Sequence, residues 1–296
     1  MGCAYTIIAY GPAADTLGSA LEAALDEVDR IDRLMSHYKP DSPLSRLNRE
    51  AANGPVNVPP ELFDFLAECL RYGRDSDGAF DITVGPLMKA WGFFYGDGRV
   101  PSAEELASAR RSIGYRHVIL DRRARMVRFD RPGVELDLGG IAKGYAVDRA
   151  IGLLRAHGVT AALVSAGGST LYGLGAPPGE PGWSVAIQDP TDERKTALET
   201  MLRDRALSIA GRAHKSFEAG GVTYSHIMDP RRGRPVQGVL SVAVWSQSAT
   251  AGDALDDVFF VEGVERARDR VRRLPSTAVA FFLPAAAGWK MVRLGH

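Results

Sequence analysis

The chain has 296 residues, of which 45% are apolar and 24% charged, a composition that supports one large domain or two small ones and argues against disorder. Lys+Arg and Asp+Glu each total 36, so the formal net charge is zero and the basic surplus that a general nucleic-acid binder uses against phosphates is missing. Two cysteines, Cys3 and Cys69, exclude a disulfide framework and a four-thiolate zinc site.

Tyr5 to Tyr10 reads as a strand. The spacing of Leu17, Leu21, Ala24, Val28, Ile31 and Met35 predicts an amphipathic helix over Ala13 to Met35. Ser36 to Asn48 is polar and reads as a loop. Helices follow at Glu61 to Arg74 and Ser102 to Ser112. Val118 to Leu120, Met126 to Phe129 and Glu135 to Leu138 read as strands, the last running through Gly139-Gly140 into a helix over Ile141 to His157. Strands are predicted at Ala161 to Ser165, Trp183 to Gln188, Ala206 to Ile209, Val222 to Met228 and Val239 to Trp245. Helices over Ala251 to Val261 and Val264 to Arg273 precede a closing hairpin, Thr277 to Leu283 and Lys290 to Leu294. Hairpins mixed with crossovers make a mixed α/β (α+β) fold the expectation, rather than a pure doubly wound sheet. With no linker or repeat in view, residues 1–296 read as a single domain. The charge-free stretch 235–252 is interrupted by polar side chains, and no membrane span is expected. MGCAYTIIAYGP has neither the positive start nor the apolar run of a secretory signal. The chain as written is therefore expected in the cytoplasm, and in the periplasm if an export signal has been removed.

Three segments carry chemistry. In GDALDD, residues 252–257, helical spacing puts Asp253, Asp256 and Asp257 on one face. Their mutual repulsion is relieved by a cation, and all-oxygen donors suit Mg²⁺ or Ca²⁺ better than zinc. The same acids would also suit a helix N-terminus, where the macrodipole favours negative charge. ELDLGGIAKGYAVD, residues 135–148, places two glycines and then Lys143 at a helix start, where backbone N–H groups can face an anion. A tight turn with a solvated lysine reads equally well. SHIMDPRRGRP, residues 225–235, sets His226 ahead of an Asp-Pro turn, and that histidine gains a catalytic reading only beside other site groups.

Taken in order along the chain, these segments resemble the ApbE family, the FAD:protein FMN transferases. The family's M-G-T start is matched by Met1-Gly2, its S-x-Y segment by SHYKPDSPLSRLN, and its most specific motif by GAFDITVGPLMKAWGF, residues 78–93. VSAGGS at 164–169 and the three segments above complete the set. The resemblance implies a T-fold-like architecture with mixed or antiparallel sheets, packed helices and an FAD cleft between two lobes. It implies Mg²⁺-dependent transfer of FMN from FAD to a Thr or Ser hydroxyl of an acceptor protein, with release of AMP. By position it implies FAD contacts at Met1, Tyr38, Ala79, Phe80, Asp81, Asp137, Lys143 and Met228. It implies metal ligation by the Gly140 carbonyl with Asp253, Asp256 and Asp257, and a general base at His226. An FAD pyrophosphatase and a non-catalytic FAD-binding protein are the alternative readings. The chain departs from the family pattern at Asp257, commonly Thr, at Ser208-Ile209-Ala210-Gly211, often S-T-S-G, and at Arg232, where D-P-x-T-G has Thr.

Overall fold

The computed structural model describes residues 2–11, 14–212 and 215–295. The chain forms two compact units, one of Met1–Asp32, Ile141–Gly211 and Gly238–His296, the other of Arg33–Gly140 and Arg212–Gln237.

The first unit is built on a seven-stranded sheet. Its order is Tyr5–Tyr10, Ala161–Ala166, Thr170–Leu174, Arg205–Gly211, Ser241–Ser246, Ala278–Ala285, Gly288–Leu294, and every pair is antiparallel. The helices Ala142–Ala156 and Ala249–Arg272 pack on this sheet and on each other. A two-stranded ribbon, Trp183–Asp189 with Asp192–Leu202, adds Trp183, Val185 and Ile187 to a core shared with Trp245 and Phe282. Asp148 anchors the second helix. Its carboxylate accepts from the Ala249 and Thr250 amides, both at 2.8 Å, and from the Ser248 and Thr250 hydroxyls at 2.7 and 2.6 Å. Four donors at a helix start are thereby satisfied by one acid.

In the second unit the strands Val56–Asn57, Met126–Phe129 and Val118–Asp121 form a small sheet. The helices are Pro43–Glu50, Pro60–Asp75, Gly85–Ala90 and Ala103–Arg110, the last closed by a capping box of Ser102 and Glu105. Two short ribbons, Ser216–Ala219 with Val222–Ser225 and Met228–Asp229 with Arg234–Pro235, complete it.

Most predicted elements fall within a residue or two of their observed bounds, and several do not. Ser36 to Asn48 is not all loop: Ser42 caps a helix by accepting from the Ser45 amide at 3.0 Å, with Pro43 in the first turn and Leu44 and Leu47 buried. Glu135 to Leu138 is extended but joins no sheet. Its backbone groups go elsewhere: the Asp137 amide donates to the Ile82 carbonyl at 2.7 Å, and Leu136 exchanges two bonds with the Asn48 side chain. The predicted strand over Val222 to Met228 is two shorter strands. Thr170–Leu174 and Asp192–Leu202 were not anticipated as strands. The two predicted C-terminal helices, by contrast, are as expected: the run Ala249–Arg272 is broken at Gly263, where φ is 73° and the backbone is not helical.

Glu27 ties the helix Ala14–Met35 to the helix Ala142–Ala156. It accepts from Arg30 at 2.7 and 2.9 Å and from Arg149 at 2.9 Å. The Arg30 hydrogen bond, working against burial and helped by Arg149, holds the Glu27 carboxyl down at about 2. A lowered carboxyl pKa contributes stability above the unfolded value and loses it as pH falls toward the folded one. Glu27→Gln is therefore expected to be less stable than wild type by roughly 1–3 kcal/mol at neutral pH. The gap in urea midpoints should close as pH falls from about 4.5 to about 2, and a gap that persists at pH 2 would remove the ion pair as its source.

Candidate functional site

In the first unit Asp253 is 2% exposed and surrounded by donors. Oδ2 accepts from the Gly144 amide at 2.9 Å. Oδ1 accepts from the Thr170 hydroxyl at 2.9 Å and faces the Lys143 ammonium at 3.0 Å. The Ser208 hydroxyl donates to Asp256 Oδ2 at 2.6 Å and stands 3.4 Å from Asp253 Oδ1, so these two acids do share one face of their helix turn. Asp257 is half-buried, and its charge acts on both Lys143 and Asp256. Burial alone would lower the Lys143 pKa, yet the field of Asp253 and then Asp256, with the Asp253 hydrogen bond, holds it raised. Burial pushes the Asp256 carboxyl well up, and the Asp257 and Asp253 carboxylates push it further. Both causes favour the protonated form of Asp256, while Lys143 stays a cation beside Asp253. Among the described residues, no group of three or more His, Cys, Asp or Glu side chains is gathered as a metal-holding set.

The geometry depends on two close approaches. A Cβ on Gly144 would collide with the Ala249 carbonyl and lie 2.8 Å from Thr250 Cα, so only glycine lets these two helices meet there. A Cβ on Gly252 would lie 2.8 Å from Ser246 Oγ. Cys3, a free half-buried thiol, lies within the field of Lys143 and Asp253, although burial is the larger effect and pushes it up. Met1 lies outside the described residues.

In the second unit Tyr38 and His226 lie within the electrostatic reach of Asp137. Its Oδ1 accepts from the Gly139 amide at 2.8 Å and faces His37 Nδ1 at 3.2 Å. Burial would raise this acid, but the His37 bond and charge, the Gly139 amide and the field of His226 hold it below the usual carboxylate range. Tyr38 is 41% exposed and its ring lies 4.0 Å from that of His37 and 5.0 Å from Phe94. Burial first, then the Asp137 charge, pushes its hydroxyl up to about 12. Gly140 is half-buried in the turn after Asp137.

His226 Nδ1 lies 3.2 Å from the Lys215 carbonyl oxygen. A carbonyl only accepts, so this contact fixes the neutral ring's proton on Nδ1 and leaves the lone pair on Nε2. Met228 is buried against Trp91 and Phe93. Ala79 and Phe80 are buried, the Phe80 amide donating to Ser76 Oγ at 3.0 Å. Asp81 spends its carboxylate on the fold, Oδ1 on the Thr83 amide and hydroxyl at 2.9 and 2.7 Å and Oδ2 on the Tyr115 amide at 2.7 Å. The residues not anticipated are Thr170, Ser208, Asp148, His37 and Asn48. Asp148, His37, Asn48 and Ser208 stand inside segments singled out above, but nothing in their spacing says which neighbour they bind.

Comparison with known proteins identifies the family. The ApbE family model matches residues 1–282. The FAD:protein FMN transferase of Salmonella typhimurium is 34% identical over 274 residues, 89% of this chain and 77% of that protein. The Vibrio cholerae protein of the same name is 36% identical, over 85% of this chain and 75% of its own length. Among solved structures, the ApbE protein of Thermotoga maritima superposes with a TM-score of 0.89 at 31% identity, covering 99% of this chain and 94% of that one. The flavin transferase ApbE of Vibrio cholerae gives 0.86 at 31% identity, with the same coverage. The chain belongs to the ApbE family.

If the Gly144 contact sets the position of the acids, Gly144→Ala must push the two helices apart. We expect a loss of about 1–3 kcal/mol in urea unfolding, the usual result of overpacking a close contact. An unchanged midpoint would show that the helices part without strain.

Proposed function

We propose that this chain is a Mg²⁺-dependent FAD:protein FMN transferase. The observation that carries the reading is the aspartate turn, 253–257, where Asp253 and Asp256 lie buried around the Ser208 hydroxyl, Lys143 stands 3.0 Å from Asp253, and Asp257 adds a third carboxyl group. Family membership and the name shared by its relatives support the transferase part of this reading.

The chemistry is a phosphoryl transfer. A Thr or Ser hydroxyl of the acceptor protein attacks the phosphorus on the FMN side of the FAD diphosphate. The new O–P bond forms, the bond from that phosphorus to the bridging oxygen breaks, and the bridging oxygen leaves as part of AMP. The hydroxyl proton needs a base, and His226 with its lone pair on Nε2 is suited to take it. Lys143, kept charged by the surrounding acids, is suited to hold a phosphate oxygen. The donor set fits the proposed metal: hard carboxylate oxygens from Asp253, Asp256 and Asp257, with acids in excess of ammonium. Mg²⁺ is commonly held by one or two carboxylates plus substrate phosphates rather than by an all-protein cage, so the protein need not present a complete ligand set. When bound, the ion would draw charge from the diphosphate and stabilise the leaving AMP.

The test is incubation with FAD, Mg²⁺ and an acceptor protein carrying a D-x-x-[ST]-G-[AS]-T segment. A mass gain of one FMN on the acceptor, matched by AMP, supports transfer. AMP released without acceptor would make the chain a pyrophosphatase, and bound FAD that survives unchanged would make it a binding protein.

His226→Ala should keep FAD binding and lose about 10²–10⁴-fold in transfer rate. A variant as fast as wild type would remove His226 from the mechanism. Asp253→Asn should abolish the response of transfer to added Mg²⁺, measured in chelator-buffered solutions. An intact metal titration curve would refute the ligand assignment.

A further inference from the structure

His37 is an unusual side chain to bury. It is 6% exposed, with Nδ1 directed to Asp137 and Nε2 buried without a hydrogen-bond partner. An imidazole that satisfies one nitrogen and strands the other is an expensive way to fill an interior position. The surrounding backbone nevertheless fixes it firmly. Ser42 Oγ donates to the Ser36 carbonyl at 2.6 Å, and Ser45 Oγ donates to the His37 carbonyl at 3.2 Å.

The effect falls on Asp137. Its segment is held by the paired bonds between Asn48 and Leu136, at 2.9 and 2.8 Å, and by the Asp137 amide on the Ile82 carbonyl. The carboxylate itself is held through one oxygen: His37 Nδ1 and the Gly139 amide both meet Oδ1. Among the described residues no donor is placed on Oδ2 of this side chain, which is 9% exposed. The same imidazole underlies the exposed ring of Tyr38 and stacks on Phe94 at 4.9 Å. One residue therefore fixes both an aromatic platform and an anionic acceptor beside it.

We infer that His37 is a positioning residue for nucleotide binding: it locks Asp137 through Oδ1 so that Oδ2 meets an N–H donor on a flat heteroaromatic ring lying against Tyr38. This rests on the FAD reading above. FAD has two such donors, the adenine amine and the flavin ring imide.

Three substitutions separate the hydrogen bond from packing. Asn places its amide N–H near where Nδ1 stands, Gln places it near Nε2, and Phe keeps the ring without a donor. FAD binding followed by flavin fluorescence, without acceptor, should weaken roughly tenfold or more in H37F and H37Q, the loss of one hydrogen bond to a charged group. H37N should stay within about threefold of wild type, within the usual context spread for one such contact. In transfer assays the KM for FAD should rise in H37F and H37Q with little change in kcat. In a D137N background H37F should cost little more, because coupled residues are not additive. Titration with FMN alone and with AMP alone identifies the donor, since only the half that meets Asp137 should lose affinity in H37F. Wild-type FAD affinity in H37F or H37Q, or an H37N as weak as H37Q, overturns the positioning role while the transferase reading stands. A wild-type protein that binds no FAD removes both.

Discussion

Asp253 is a charge taken out of water, and the first unit is arranged to make that tolerable. A buried carboxylate is stable only when charge and hydrogen bonds compensate its lost hydration. Here the compensation comes from three separate elements. The helix Ala142–Ala156 provides the Gly144 amide and the Lys143 ammonium, the strand Thr170–Leu174 the Thr170 hydroxyl, and the strand Arg205–Gly211 the more distant Ser208 hydroxyl. None can move without leaving the acid short of a donor. The glycine at 144 follows from the same requirement. The hydrogen bond that the Gly144 amide donates to Asp253 brings one helix against the first turn of the other, and any side chain there would strike Ala249. Asp148, one turn further along, then holds that first turn by its backbone and hydroxyl donors. The spacing of Lys143, Gly144 and Asp148 is the sequence trace of one helix–helix contact.

The second unit solves a different problem: holding an extended segment that belongs to no sheet. Unpaired strands expose backbone groups that must find partners. For residues 136 and 137 those partners are the Asn48 amide and the Ile82 carbonyl. The motif SHYKPDSPLSRLN is thus largely scaffolding. Its serines cap a helix and pin the preceding turn, and its asparagine substitutes for a neighbouring strand. GAFDITVG behaves in the same way, with Asp81 gathering backbone amides from two loops.

Periodicity made much of the architecture legible, because it reports burial on one face and burial is what packs a helix on a sheet. The helix ending at Met35 and the hairpin after Thr277 needed nothing more. The helix Pro43–Glu50 escapes periodicity although Ser42 and Pro43 are a helix start by composition. With only eight residues, two of its apolar side chains buried, it is too short for a pattern to stand out. Glu135 to Leu138 was misread because its alternation is that of a strand, while its partners are a side chain and a loop, which no local pattern encodes. In the site, the three acids could be seen from their spacing, but their counter-groups could not. Thr170 and Ser208 lie 83 and 45 residues from Asp253, and only the sheet order makes them neighbours.

That sheet order also gives meaning to the departures from the family pattern. In Ser208-Ile209-Ala210, alternate side chains leave opposite faces of the strand. Ser208 points at Asp253 and Asp256, while Ile209 packs on the other side against the core around Trp245 and Phe282. Of the two hydroxyls this chain lacks there, the one at 209 would point away from the acids, and only the one at 210 shares their face. The retained hydroxyl is the one already bonded to Asp256. Asp257 works in the opposite sense. Where the family commonly has a neutral hydroxyl, this chain adds a carboxylate whose charge is among the causes that drive Asp256 up and Lys143 up. The substitution therefore sets a second carboxylate beside Asp256 and raises the cost of ionising it.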